Sequence, residues 1–186
     1  RIMSEFGSEV LAGYTIAIRI MMFSLMPAWG LSNAAATLVG QSLGAKFPER
    51  AKKAVWQTSK YNALFMVILS FIFWFWAKEI IRVFTQIPAV VEIGTLSLQV
   101  FASGYVFYAF GMVIIQAFNG AGDTHTPTKI NFFCFWLFQI PLAYLTALYF
   151  EWGPLGVLVA IVVSEIALTL MSAYYFSLGK WKNSKV

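Results

Sequence analysis

The sequence predicts an all-α integral membrane protein with five transmembrane helices, on three observations. Of its 186 residues, 60% are hydrophobic and only 11% charged, with a mean hydropathy of +0.73; soluble domains carry about 25% charged residues. The charges are clustered, so that Val10–Ala45, Tyr61–Ala77, Ile93–Gly122 and Ile130–Phe150 each hold one or none. A crossing takes about 20 apolar residues, which leaves room for five or six. Finally, Pro48, Pro88, Pro127 and Pro154 each stand just before an apolar run. Proline suits the first helical turn, where its missing N–H would be unpaired anyway.

Arg1–Glu9 is a short polar lead that reads as the end of a loop, and with no initiator Met the chain reads as a piece of a longer protein. The first span covers about 10–39 and closes at Gly40-Gln41-Ser42-Leu43-Gly44-Ala45. A basic connection comes next, with Lys46, Arg50, Lys52, Lys53 and Lys60. The second span is about 61–84, the third about 93–118, the fourth about 130–150 and the fifth about 155–178. Glu151-Trp152-Gly153-Pro154 reverses the chain between the last two, and a basic tail from Lys180 to Lys185 ends it.

The most polar run between two spans is Gln116–Thr128, which holds the single Asp (Asp123) and the single His (His125). Its Asn-Gly-x-Gly-Asp pattern is compatible with a phosphate cradle only if a β-strand precedes it and a Lys is placed for the phosphates. An apolar helix precedes it, so the run reads instead as a connection in which Gly120 and Gly122 turn the chain. Thr126 then caps the next helix ahead of Pro127, and Asp123 caps or pairs locally.

Counting Lys and Arg gives the orientation. Nine (Lys46, Arg50, Lys52, Lys53, Lys60, Lys129, Lys180, Lys182, Lys185) fall on one side and three (Arg1, Lys78, Arg82) on the other. The positive-inside rule puts the C-terminus and Gln116–Thr128 in the cytoplasm and the N-terminus outside, which implies at least one helix upstream. The same rule accounts for the net charge of +5 without nucleic acid.

Few polar groups lie within the spans. Arg19, about two turns into the first span and near the outer face, either lines a pathway or snorkels to the interface. Glu165, near the middle of the fifth span, is either a coupling carboxylate or a neutral acid hydrogen-bonded between helices. Gln99 and Gln116 bracket the third span, with Tyr105 and Tyr108 on one face between them. Together they form either a polar and aromatic wall suited to a flat organic cation or packing and interface residues. Asn33, Asn131 and Gln139 complete the polar inventory. Pro27 and Pro141 lie inside spans and kink them, as hinges or as packed irregularities. Gly30, Ser32, Ala34–Ala36, Gly40 and Gly44 permit close helix approach. Cys134 is a packing residue that has no partner for an intrachain disulfide.

One His and one Cys make no metal cluster, a single Asp excludes paired Asp-rich Mg²⁺ motifs, and no Ser-His-acid set assembles around His125. The sequence therefore predicts no enzyme and no cofactor.

Two segments together carry a family resemblance. Met26-Pro27-Ala28-Trp29-Gly30-Leu31-Ser32-Asn33-Ala34-Ala35-Ala36-Thr37-Leu38-Val39-Gly40-Gln41-Ser42-Leu43-Gly44-Ala45-Lys46-Phe47-Pro48-Glu49-Arg50-Ala51 resembles multidrug and toxic compound extrusion (MATE) transporters. So does Gln116–Thr128, where the family often shows Gly-x-Gly-Asp-Thr before its eleventh helix. The resemblance covers essentially the whole chain and implies that residues 1–186 form helices eight to twelve, most of the C-terminal lobe of a twelve-helix transporter. The N-terminal lobe and helix seven would lie elsewhere in the polypeptide. It further implies export of small organic cations or drugs across the bacterial inner membrane, driven by inward Na⁺ or H⁺, as two six-helix lobes rock about a central cavity. Some members couple through a carboxylate on the tenth helix. Ile93–Asn119 contains no acid and Tyr108 lies near that position, so a coupling acid would be in the other lobe, in helix seven, or be Glu165. The alternatives are a lipid-linked saccharide flippase or polysaccharide exporter of the same superfamily, which would carry more cavity cations, and a structural membrane fragment. Alone, with half of the cavity, the chain is not expected to transport.

Overall fold

In the computed structural model, which describes residues 2–183, the apolar runs become five helices long and apolar enough to cross a membrane. They are α1 (Ser8–Gly44), α2 (Pro48–Arg82), α3 (Pro88–Gly120), α4 (His125–Tyr149) and α5 (Pro154–Ser177). Short 3₁₀ turns, Ile2–Phe6 and Lys180–Asn183, flank them. Arg1 and Lys185, both used in the charge count, lie outside the described residues.

The helices are longer than the apolar spans. The basic segment after α1 is not a loop: from Pro48 onward it is helical. Ala51, Lys52, Lys53, Ala54 and Gln57 are good helix formers, and Ala51, Val55, Ser59 and Asn62 form a buried stripe at helical spacing. Similarly, α3 starts at Pro88 and buries Val90 and Val91. The polar lead is a 3₁₀ turn that buries Met3.

The exits of α1 and α3 are built alike. The Lys46 N–H donates to the Leu43 carbonyl and the Phe47 N–H to the Ser42 carbonyl; after α3, the Gly122 N–H donates to Asn119 and the Asp123 N–H to Phe118. Each is a Schellman closure, with its left-handed residue at Lys46 (φ 62) and Gly122 (φ 79). The turn glycine of Gln116–Thr128 is therefore Gly122. Gly120 is the last residue of α3, and its role is contact: a Cβ there would lie 2.2 Å from the Ala36 carbonyl oxygen. The expected cap also moves. Asp123 accepts hydrogen bonds from the Thr126 N–H (3.0 Å) and hydroxyl (2.6 Å), so it is Asp123 that satisfies the start of α4, and Thr126 is already helical.

Of the two interior prolines, Pro27 sits in an α1 that stays helical throughout. Pro141 falls in an α-helical turn, Ile140–Tyr144, between two π-helical stretches, Phe132–Gln139 and Leu145–Tyr149. The backbone departs most from helical values inside α2, at Trp76 (φ −113, ψ 15), where the sequence has no proline.

α3 is the central helix, packed by α1, α2 and α5, while α4 packs on α5. Close approaches fix the registers. α1 runs parallel to α3, meeting it through Gly13 at Val90 and Gly94 and through Ala36 at Gly120. α5 is also parallel to α3, with Gly104 against Val162 and Gly111 against Thr169. α2 is antiparallel: Gln99 donates to the Trp74 carbonyl (3.0 Å), Ser70 to Ala102 (2.7 Å) and Asn62 to Ala109 (3.0 Å). Gly40 lies against the Gly120 carbonyl, but nothing is near Gly30 or Gly44, so these two are not packing glycines. Cys134 is buried, with its Sγ 3.7 Å from Met171 Sδ.

Gly120→Ala should force α1 and α3 apart and cost at least about 1–3 kcal/mol, the usual range for overpacking. Gly44→Ala, which meets open space, should not. Thermal unfolding in detergent compares the two, and equal melting temperatures would refute the proposed contact.

Candidate functional site

The residues expected to share one wall do not share one. Gln99 and Gln116 are 17 positions apart on α3, or about 25 Å at 1.5 Å per residue. At one end, Gln99 serves the carbonyl of Trp74, beside the irregularity at Trp76. At the other, Gln116 Oε1 accepts from Asn119 Nδ2 at 2.9 Å. Between them, Tyr105 and Tyr108 do meet, edge to face at 6.2 Å. Tyr105, however, is fully enclosed, packed edge-on against Phe73 (5.8 Å), with its hydroxyl 2.9 Å from Ser24 Oγ. Its ring offers no open face to a cation.

The interhelix contacts also set depths. Ser24 meets Tyr105 at the middle of the apolar part of α3. Arg19 is five residues from Ser24, about 8 Å along the helix toward the outer end, which puts it about level with Gln99 on α3. It is exposed. Glu165 lies between Val162 and Thr169, whose partners are Gly104, Phe107 and Gly111. That puts it close to the level of Tyr105, about 10 Å deeper than Arg19, half-buried and within electrostatic reach of Tyr108 on α3 and Cys134 on α4. Asn131 and Gln139 are half-buried along α4.

The exposed helix faces divide into two kinds. On α2 the outward stripe is Tyr61, Leu64, Ile68, Phe71 and Phe75, and on α4 it is Phe132, Phe133, Trp136, Leu137 and Ile140. Both suit hydrocarbon. On α1 the outward stripe at helical spacing is Arg19, Met22, Met26, Trp29, Asn33 and Thr37. A cation and an amide turned outward within the span are costly against lipid unless water, headgroups or protein cover them. Sequence reading singled out Arg19 and Asn33 but not the methionines and Trp29 between them, although their 3–4 residue spacing places them on one face. This stripe is the candidate site.

The MatE family profile matches residues 1–145. Over 180 residues the chain is 31% identical to a probable multidrug resistance protein NorM of Thermotoga maritima, covering 97% of this chain and 39% of that protein. Over 160 residues it is 31% identical to a probable multidrug resistance protein NorM of Pseudomonas aeruginosa, covering 83% of this chain and 33% of that protein. The chain thus spans well under half the length of these relatives. Its fold matches a solved MOP superfamily transporter from Pyrococcus furiosus with a TM-score of 0.88, at 18% identity, over 96% of this chain and 39% of that one.

Behind the stripe, Tyr105→Phe and Ser24→Ala should each remove the same interhelical bond, so their effects on stability should couple by about 0.5–1.5 kcal/mol. A double-mutant cycle on the melting transition measures this, and strictly additive effects would show that the bond contributes nothing. Together, the five-helix architecture and the match over residues 1–145 place this integral membrane chain in the MatE family.

Proposed function

We propose that this chain forms helices eight to twelve of a cation-coupled multidrug exporter of the bacterial inner membrane, with α1 supplying a wall of the transport path. The observation that carries the reading is the α1 stripe: Arg19 exposed in the outer part of the span, in line with Met22, Met26, Trp29 and Asn33. Methionine and tryptophan adapt to varied apolar cargo, while the polar groups keep the face hydrated. The names of the relatives support multidrug resistance as the activity. In this reading an N-terminal lobe faces α1, the two lobes alternate access by rocking, and the C-terminus is cytoplasmic. No cofactor beyond the coupling ion, Na⁺ or H⁺, and no catalytic step is needed. Glu165, close to the level of Tyr105 at the middle of the bundle, is the proposed carboxylate of this chain for coupling.

One observation favours a second reading. Arg19 is a cation on the proposed path, which suits an anionic cargo such as a lipid-linked saccharide phosphate better than an organic cation.

With the protein expressed from its complete gene, efflux of ethidium under imposed Na⁺ and pH gradients tests both readings. The exporter reading expects gradient-driven efflux, a loss of at least about tenfold in Glu165→Gln, equivalent to about 1.4 kcal/mol, and unimpaired efflux in Arg19→Gln. Absence of ethidium efflux alongside Arg19-dependent movement of a phosphorylated lipid would favour the second. If Glu165→Gln changes neither rate nor pH dependence, this carboxylate does not couple.

The wall itself has a separate check. Asn33→Cys should react with a membrane-impermeant thiol reagent and be protected by substrate, whereas Ile68→Cys on the apolar stripe of α2 should stay unreactive. Equal reactivity at the two positions would remove α1 from the path.

A further inference from the structure

A cavity of about 670 Å³ opens where the end of α2 meets the start of α3. Lys78, Arg82, Glu92 and Thr95 supply its polar wall, and Val91 and Leu96 are among its apolar residues. We propose that it binds a membrane phospholipid whose headgroup carries both a phosphodiester and a primary ammonium, as in phosphatidylethanolamine. Lys78 and Arg82 receive the phosphate, and Glu92 receives the ammonium.

The height of the cavity in the membrane is the first argument. Trp74, Trp76 and Phe84 are exposed at this end of α2, and Tyr149, Phe150 and Trp152 are exposed at the α4–α5 turn on the same side. Aromatic girdles of this kind mark the membrane–water interface, where lipid headgroups lie.

The charged groups in the wall form no salt bridge among the described residues. Lys78 and Arg82 are four residues apart and so share a helix face. Among the described residues the one salt bridge is Lys182–Glu49, at the other end of the bundle. A phosphate would take charge-assisted hydrogen bonds from the two cations.

The balance of charge selects the headgroup. Two cations and one carboxylate suit a zwitterion; a headgroup with phosphate alone leaves Glu92 facing an anion. The apolar wall favours a lipid over free phosphate, because Val91 and Leu96 would otherwise line a purely aqueous anion site. The cavity owes its shape to local geometry: α2 leaves helical φ/ψ at Trp76, and Gln99, itself in the cavity wall, binds the Trp74 carbonyl.

The test is native mass spectrometry of the protein expressed from its complete gene, offered equal amounts of dioleoyl phosphatidylethanolamine and dioleoyl phosphatidylglycerol. Retention of phosphatidylethanolamine over phosphatidylglycerol by about fivefold or more is expected. Lys78→Gln/Arg82→Gln should lower that retention about tenfold. Glu92→Gln should bring the two lipids to parity, a reversal of selectivity that loss of folding would not produce. All three residues are exposed, so the variants should keep the melting temperature of the parent. Unchanged retention in the double variant overturns the site. Displacement of lipid by millimolar inorganic phosphate overturns the lipid assignment in favour of a free anion. Parity of the two lipids in the unsubstituted protein overturns the role of Glu92 and with it the choice of headgroup.

Discussion

α3 is enclosed by three other helices, and the remaining geometry depends on how it is held there. Hydrocarbon offers no hydrophobic drive for one apolar helix to bind another, so association must come from close packing and polar contacts. Both are concentrated on α3. Glycines admit neighbouring backbones, with Gly94 meeting Gly13 and Gly120 meeting Ala36. Side chains also reach its carbonyls, from Ser70 to Ala102, Thr169 to Phe107 and Asn62 to Ala109. These contacts lie at different heights, and each fixes one register. Because α1 is held at both ends, Ser24 must fall opposite Tyr105, with Arg19 about 8 Å nearer the outer end. Because α5 is held at Gly104 and Gly111, Glu165 arrives close to the level of Tyr105. The two charged groups owe their depth to glycines and hydroxyls elsewhere on the helices.

The connections that leave α1 and α3 are closed by their own backbone hydrogen bonds. α1 and α3 end in the same Schellman closure, at Gly44-Ala45-Lys46-Phe47 and at Gly120-Ala121-Gly122-Asp123. They differ in how the next helix begins: Pro48 starts α2 at once, whereas Asp123 holds the Thr126 N–H and hydroxyl before α4 proceeds. Near them the tail folds back. Trp181 stacks on Phe176 at 4.6 Å and donates to its carbonyl, and Lys182 binds Glu49 at 2.6 Å. An exposed ion pair of this kind contributes little energy, but with the buried indole it links the start of α2 to the end of α5.

Helix number and order were legible in the sequence because a crossing requires a long apolar run and little else does. The ends were less legible. Lys52, Lys53 and Lys60 read as loop by charge, yet the stripe Ala51, Val55, Ser59 and Asn62 packs on the bundle and keeps the segment helical. Proline marked helix starts correctly but misled inside spans: α1 absorbs Pro27, while the irregular residue in α2 is Trp76, which no local rule signals. The proposed wall of Gln99, Tyr105, Tyr108 and Gln116 rested on spacing along one helix. Burial is decided by neighbours, and Ser24 and Phe73 enclose Tyr105. The α1 stripe was hidden for the same reason: a helix wheel shows which residues share a face, but not which face is left uncovered.

That uncovered face sets a demand of its own. The simplest way to keep Arg19 and Glu165 in a membrane would be to pair them. The fold prevents it, because they differ by about 10 Å in depth and α3 packs against both α1 and α5. Nor does another group of opposite charge meet either one among the described residues. Glu165 is half-buried beside Tyr108, where protonation would remove its charge. Arg19 has no such option, since its guanidinium stays protonated. It must therefore be solvated by water, by headgroups or by a protein surface that covers α1. Of the exposed stripes on α1, α2 and α4, only that of α1 imposes this requirement, and the face that lipid can least cover is the one where a transport path is expected.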